Sequence, residues 1–208
     1  NNTKLAIDHV KKGIGFAKKL PIGKRKILTF HLNALVTEEE FLEKKKEYWT
    51  GKFNKIITPA LEEIAHYSER NGVEVMVETD PVPCYGDIDF ADFRRYRNRK
   101  LNELRSPLYL TGFWGFQQIR ETGLGICLDI CHNRTIYRTA NSQEYSGVLH
   151  PEDLDILRIL TLLEDVKSLE STDLVHLNDG SGIYSKKDKN VFKEGITLGE
   201  GDIFELDK

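Results

Sequence analysis

The chain has 208 residues, enough to bury a hydrophobic core but fewer than the roughly 250 residues of a complete (β/α)8 barrel. Its ordinary content of hydrophobic and charged residues excludes a disordered or fibrous protein, and the lack of a long apolar run excludes a membrane-spanning helix. The formal net charge of −3 gives no indication of a protein that binds nucleic acids or anionic membranes, although it is compatible with a local basic patch.

The three cysteines, Cys84, Cys127 and Cys131, are interpreted as structural residues. Their odd and small number predicts a reducing compartment, and hence a cytoplasmic location. Cys127 and Cys131 are not followed by a second cysteine pair, so the spacing does not indicate a zinc finger or ribbon. Cys127 alternates with Asp129 in an apolar run and is interpreted as a small packed hydrophobe.

Both ends of the sequence indicate a segment of a longer protein. The chain opens without a methionine, and residues 199–203 resemble the entrance to a helix that is then cut off. A site assembled from several strands would then have members outside these residues.

Four short apolar runs are predicted to be strands, and they cover residues 26–31, 73–78, 125–129 and 173–177. Their nearly continuous apolar character is typical of parallel strands that are covered on both faces. Helical patterns separate them, over residues 3–20, 37–70, 109–122 and 151–169. This alternation predicts βαβ units and a parallel sheet.

Local sequence features mark the boundaries of the second helical pattern. Thr37 and Glu40 form a capping box at its start, and Gly72 provides a C-cap at its end. Pro59 is expected to divide the pattern and start a fresh helix. Residues 87–105 combine basic and aromatic side chains; we interpret them as an exposed amphipathic helix rather than a nucleic-acid contact.

The ends of the predicted strands carry residues of metal-binding types at similar intervals along the chain. Three runs finish on such a residue and the fourth has one next to its last position: His31, Glu78, Asp129 and His176. The functional face of parallel α/β folds lies at the carboxyl ends of the strands, so these side chains are expected to converge there. Imidazole and carboxylate ligands predict a divalent-metal site for Zn²⁺ or Mn²⁺.

Other histidines are weighed against this pattern. His132 follows Asp129 closely enough for a turn after the strand to direct both into one pocket. His9, His66 and His150 fall on helices or helix entrances, and we expect them to be surface residues.

Three motifs together resemble the xylose isomerase-like TIM barrel superfamily: GICLDICH at residues 125–132, VHLND at 175–179 and LGEGDI at 198–203. That superfamily contains sugar-phosphate isomerases, ketose epimerases and the apurinic/apyrimidinic endonuclease IV family. The resemblance covers residues 26–203 and implies an α/β fold of the (β/α)8 TIM barrel type. It implies one domain over residues 1–208, truncated at both ends, with the four strands as the third to sixth of eight.

The resemblance also implies roles for individual residues. Glu78, Asp129 and His176 match the metal ligands that the epimerases share with endonuclease IV. His132 matches a residue that binds substrate in the epimerases and an additional zinc in the endonucleases. His31 resembles an endonuclease histidine that ligates a further zinc. The fourth core ligand, a glutamate of the last barrel strand, would lie beyond residue 208.

One departure separates the two branches of the superfamily. Endonuclease IV has an Asp-x-His pair ahead of its LGEG turn, and this chain has Lys193 and Gly195 there, neither of which can replace those zinc ligands. The first hypothesis is therefore a metal-dependent sugar or sugar-phosphate isomerase or epimerase, in which Glu78 is the base and His132 orients the substrate. The sequence motifs around Asp129 and His176 are nevertheless similar to those of the endonuclease branch. The alternative hypothesis is therefore a zinc-dependent abasic-site endonuclease, with DNA as its partner.

Two further points stay open at this level. A degenerate barrel that binds without turnover is a third possibility. Trp114 and Phe116 belong either to the core or to the surface of a homo-oligomer.

Overall fold

The structure is a computed structural model that describes residues 2–21, 23, 25–32, 34, 36–82, 104–143, 146–181 and 193–203. Its strands are β1 Ile27–His31, β2 Val36–Thr37, β3 Glu74–Glu78, β4 Leu104–Arg105, β5 Gly125–Asp129, β6 Leu174–His176, β7 Asp179–Ser181 and β8 Lys193–Ile196. Its α-helices are α1 Asn2–Lys19, α2 Glu38–Glu43, α3 Lys46–Lys52, α4 Thr58–Asn71, α5 Phe116–Arg120, α6 Ile130–Ala140, α7 Leu154–Ile159 and α8 Leu162–Lys167.

The four predicted strands form one parallel sheet in the order β1-β3-β5-β6. Each pair of neighbours is joined by a crossover that contains helix, which is the connection that parallel strands require. The short strands β2 and β4 pair with each other in antiparallel fashion, and β7 pairs with β8. The prediction of a parallel α/β sheet with four strands is confirmed, and all four carboxyl ends lie along one edge.

The second predicted helix is divided more than the sequence suggested. Thr37 is the N-cap of α2, and its hydroxyl accepts a hydrogen bond from Glu40 N at 3.2 Å. The chain then leaves the helix at Lys44, and a π-helical turn at Phe53–Ile57 precedes α4. Pro59 lies in the first turn of α4, and Gly72 ends it in the left-handed conformation, as predicted.

The predicted helix over residues 109–122 is reduced to α5. Residues 108–110 are buried in irregular backbone, and a turn at residues 111–115 ends on Gly115 with a φ of +98°. Phe116 is fully buried in the main core, and the indole of Trp114 lies 5.5 Å from the ring of Phe53. Both aromatic side chains therefore contribute to the packing of this chain rather than to an unpartnered surface.

The helix predicted over residues 151–169 is broken in two. Leu160 is extended, and Thr161 starts α8 with a capping box in which Glu164 accepts from Thr161 N at 2.9 Å. The apolar stripe of the sequence predicts one continuous helix and gives no sign of this break. At the break, Thr161 and Glu164 satisfy backbone groups that a continuous helix would pair internally.

Helix α6 was not predicted. It begins directly after β5, and the Asp129 carboxylate caps it by accepting from His132 N at 3.0 Å. Its inner side is fixed by the fully buried Asp165, whose carboxylate accepts from Asn133 Nδ2 at 2.8 Å and from the Tyr137 hydroxyl at 2.7 Å. The helix therefore has a rigid position next to the carboxyl edge of the sheet.

Two apolar clusters surround the sheet. The larger packs α1, α4 and α5 against the sheet and includes the fully buried Ile14, Ile119 and Ile126. The smaller packs α6 against α7 and includes Ile136 and Leu157.

Of the three histidines expected at the surface, two are exposed and one is buried. His9 and His66 are exposed, as predicted. The surface assignment of His150 is wrong: it is buried, its Nε2 lies 2.8 Å from Lys44 O, and its ring packs edge-on against Phe41. Within the described ranges, we find no helix whose length and apolar character would let it traverse a lipid bilayer.

Candidate metal centre

Strand register places the predicted site residues side by side. Glu78 on β3 pairs with His31 on β1, and Asp129 on β5 pairs with His176 on β6. Paired residues of neighbouring parallel strands point to the same face of a sheet, and so do residues two apart on one strand. The four strand ends therefore present their side chains to one face of the sheet at its carboxyl edge, and His132 is added from the first turn of α6.

Interatomic distances show that these groups are in contact. His176 Nδ1 lies 2.8 Å from Glu78 Oε1 and 3.8 Å from Asp129 Oδ2. His31 Nε2 lies 3.8 Å from the other carboxylate oxygen of Glu78, and His132 Nδ1 lies 3.9 Å from Asp129 Oδ1. The rings of His31 and His132 have their centroids 5.7 Å apart. The structure brings all five predicted side chains together.

Burial and charge make this cluster suitable for a cation. Glu78 and Asp129 are 8% and 3% exposed, and within the described part of the chain neither lies within ion-pair distance of a lysine or arginine. Burying a carboxylate without a compensating positive charge is costly. Bonds of about 2 Å to one divalent ion place ligand atoms about 3–4 Å apart. His176 Nδ1 and Asp129 Oδ2 are 3.8 Å apart, and ligand atoms of His31, Glu78 and His132 lie within 4.8 Å of one another. The donor set fits a divalent metal.

The two remaining histidines are oriented by hydrogen bonds. His132 Nδ1 lies 2.8 Å from the carbonyl oxygen of Thr79, which can only accept, so the neutral ring carries its lone pair on Nε2. His31 Nδ1 lies 2.9 Å from Asp80 Oδ1. That hydrogen bond raises the pKa of His31 above its ordinary value, against the opposing effect of burial. Asp80 was not predicted as a site residue, although it follows Glu78 by two positions.

Asn178 is a second residue that the sequence reading missed. Its side-chain nitrogen donates to Asp129 Oδ2 at 3.0 Å, and its oxygen accepts from Cys131 N at 3.2 Å. Asp129 is thus held by Asn178 on one oxygen and by the N-terminus of α6 on the other. Asn178 belongs to the VHLND motif, which was the sequence evidence that could have identified it.

Asp179 connects two of the motifs. Its fully buried carboxylate accepts hydrogen bonds from the backbone nitrogens of four residues at 2.8–3.1 Å: Gly180, Gly199, Gly201 and Ile203. Burial raises the pKa of Asp179, but these four donors outweigh it and hold the value below the ordinary range. The LGEG segment is therefore a tight turn fixed by Asp179.

Cys127 also lies in the cluster. It is fully buried, and its Sγ, one Glu78 oxygen and one His176 ring nitrogen lie within 4.8 Å of one another. Burial, reinforced by the carboxylates of Glu78 and Asp129, raises the pKa of the thiol to about 12. The interpretation as a packed residue accounts for its burial but did not anticipate its neighbours.

Several sequence expectations fall outside the described residues. These are Cys84 and the interpretation of residues 87–103. On the described strand β8, Gly195 is exposed and has a φ of +66°. Gly195 stands where an endonuclease-type zinc ligand would be required, and it has no side chain to offer.

The chain was compared with known proteins. It matches no family model, and it has no significant sequence match to a curated protein. Two solved structures are similar to it. A D-tagatose 3-epimerase-like protein matches at 18% identity and a TM-score of 0.51, over 96% of this chain and 54% of that one. A xylose isomerase domain protein from Planctomyces limnophilus matches at 12% identity and a TM-score of 0.46, over 95% of this chain and 50% of that one.

The match to the epimerase-like protein and the parallel sheet show an α/β fold that corresponds to part of a TIM barrel. More specifically, the fold of this chain is similar to that of the D-tagatose 3-epimerase-like protein, which agrees with the fold that the resemblance implied. The chain spans about half the length of the two structures that it matches.

Proposed function

We propose that this chain is part of a divalent-metal-dependent isomerase or epimerase that acts on a sugar or sugar phosphate. The observation that carries the proposal is the approach of two carboxylates to one imidazole nitrogen: Glu78 Oε1 and Asp129 Oδ2 lie 2.8 Å and 3.8 Å from His176 Nδ1. The similarity in fold to an epimerase-like protein supports the same reaction class.

The described residues have two kinds of role: some would hold the metal, and others would contact the substrate. A divalent ion such as Zn²⁺ or Mn²⁺, held by Glu78, Asp129 and His176, would polarise a substrate carbonyl and make the neighbouring C–H more acidic. The Glu78 carboxylate is the base that takes this proton, and Asp129 keeps its orientation through Asn178. His132 contributes Nε2 to orient a substrate hydroxyl, because its Nδ1 is engaged by Thr79 O.

The experiment is solvent hydrogen exchange. The complete protein to which this chain belongs is loaded with Mn²⁺ or Zn²⁺ and incubated in D₂O with a panel of ketoses and ketose phosphates. Incorporation of deuterium next to the carbonyl is followed by NMR. We expect exchange with at least one substrate, and a loss of roughly 100-fold or more in Glu78→Gln. The matched control is Glu74→Gln, at the other end of β3, where Glu74 is exposed and paired with Arg25.

Two results would contradict the proposal. One is the complete absence of exchange across the panel. The other is an equal rate in Glu78→Gln and in the control variant. Cleavage of abasic duplex DNA by the zinc-loaded chain would instead support the endonuclease alternative.

A further inference from the structure

The thiol of Cys127 lies on the site side of the sheet. Cys127 pairs in register with Glu78, and Asp129 lies two residues further along the same strand. The side chains of all three therefore project to one face. Because Cys127 precedes Asp129, its sulfur lies below the carboxyl edge, on the interior side of the site.

The surroundings of this sulfur are those of a ligand. A carboxylate oxygen of Glu78 and a ring nitrogen of His176 lie within 4.8 Å of the sulfur, and the His176 ring also approaches Asp129. A cysteine that only fills space is ordinarily surrounded by apolar groups. Here the fully buried sulfur faces two polar groups that can themselves bind a metal.

We propose that Cys127 is a direct ligand of the metal in this site, together with Glu78 and His176, an inference that rests on the metal centre of the proposed function. Upon binding, the metal–sulfur bond replaces the S–H bond, and the proton leaves to solvent. The site thereby has a soft donor in addition to the carboxylates and imidazole.

The consequence is a preference among metals. Thiolate ligands select Zn²⁺ and similar soft ions, whereas a purely carboxylate and imidazole site also accepts Mn²⁺. Cys127 forms a group of three possible ligands with Glu78 and His176, whereas Asp129 approaches the His176 ring at 3.8 Å. When an ion binds to Cys127, Asp129 keeps its hydrogen bonds with Asn178 and with the first turn of α6.

The experiment is Co²⁺ binding to the complete protein to which this chain belongs, read by absorption spectroscopy. We expect a sulfur-to-cobalt charge-transfer band in the near ultraviolet, because direct Co–S bonding produces one. A Cys84→Ser background removes the thiol that lies outside the described residues. X-ray absorption of the Zn²⁺ form should show one sulfur at about 2.3 Å.

The matched variants are Cys127→Ser and Cys131→Ser. Both cysteines are fully buried, but Cys131 belongs to α6 rather than to the strand. We expect Cys127→Ser to lose the band and to bind Zn²⁺ about tenfold or more weakly, with Mn²⁺ binding nearly unchanged. Cys131→Ser should keep both properties, and circular dichroism checks that each variant is folded.

The outcomes separate the two levels of the argument. Metal binding that depends on Glu78 and His176 but shows no sulfur signature overturns the role of Cys127 and leaves the proposed function standing. A sulfur band that persists in Cys127→Ser also overturns it. The absence of any Co²⁺ or Zn²⁺ binding by the unsubstituted chain overturns both proposals.

Discussion

The side-chain amide of Asn178 donates a hydrogen bond to Asp129 Oδ2 at 3.0 Å. The two residues are 49 positions apart in sequence: Asp129 ends β5, and Asn178 lies just after the neighbouring strand β6. The same amide accepts from Cys131 N, so one side chain fixes both the carboxylate and the first turn of α6. Contacts of this kind determine how well a metal ligand is oriented.

Substitution of Asn178 should therefore weaken metal binding. We expect Asn178→Ala to lower the affinity for Zn²⁺ or Mn²⁺ by roughly 10- to 100-fold, because Asp129 loses its orienting donor. Titration against a chelating indicator measures the affinity. Asn141→Ala is the control, since the Asn141 side chain donates to the carbonyl of Tyr137 at the other end of α6. Equal affinities in the two variants would show that Asn178 does not orient the site.

The Asp179 carboxylate predicts a specific pH dependence of stability. Its pKa is lowered in the folded chain by four backbone donors that outweigh burial. The stabilisation is thus present above the unfolded-state value of about 4, and it is lost as the pH falls through the lower folded-state value. Asp179→Asn should lower the free energy of unfolding by about 1–3 kcal/mol at neutral pH, because the NH₂ group of the asparagine would face backbone N–H donors. It should also flatten the acid dependence, because asparagine does not titrate.

Urea unfolding from about pH 2 to pH 7 measures both effects. Asp155→Asn is the control, since the Asp155 side chain is fully exposed. An acid dependence in Asp179→Asn as steep as that of the control would contradict the role given to Asp179.

Gly201 should not tolerate a side chain. A Cβ at this position would overlap Asp179 Oδ1 and the carbonyl oxygen of Gly180. We expect Gly201→Ala to lower the free energy of unfolding by about 1–3 kcal/mol. Gly147→Ala is the matched substitution, because a Cβ there would meet no atom within 4 Å. Thermal unfolding that is equally affected in both variants would show that the turn has room to adjust.

Two helix glycines should respond with opposite signs. Gly72 caps α4 with a φ of +63°, where alanine is strained, and its substitution should cost about 1–2 kcal/mol. Gly15 lies inside α1 with open space around its Cβ position, so Gly15→Ala should add about 0.5–1 kcal/mol. Denaturant unfolding gives both values, and a destabilised Gly15→Ala would show that α1 packs more tightly there than the structure indicates.

The parts of this fold that follow from short-range physics were predictable. The four strands of the parallel sheet were predicted from their apolar runs, although only β3 and β5 are buried along most of their length. Thr37, Pro59 and Gly72 marked helix boundaries because capping acts within a few residues. Helix α6 was missed because Asp129, interpreted as a strand end, is at the same time the N-cap of the following helix. The break at Thr161 was concealed by the apolar stripe on either side of it.

The sequence by itself determined the strand-end set of His31, Glu78, Asp129 and His176, since the alternation of strands and helices gives each residue its place in a βα unit. Only the tertiary structure decided which atoms meet. Contact between His176 and Glu78, the orientation of Asp129 by Asn178 and the position of the Cys127 sulfur all depend on strand register. Register arises from packing between segments that are distant in sequence, and no local pattern encodes that packing.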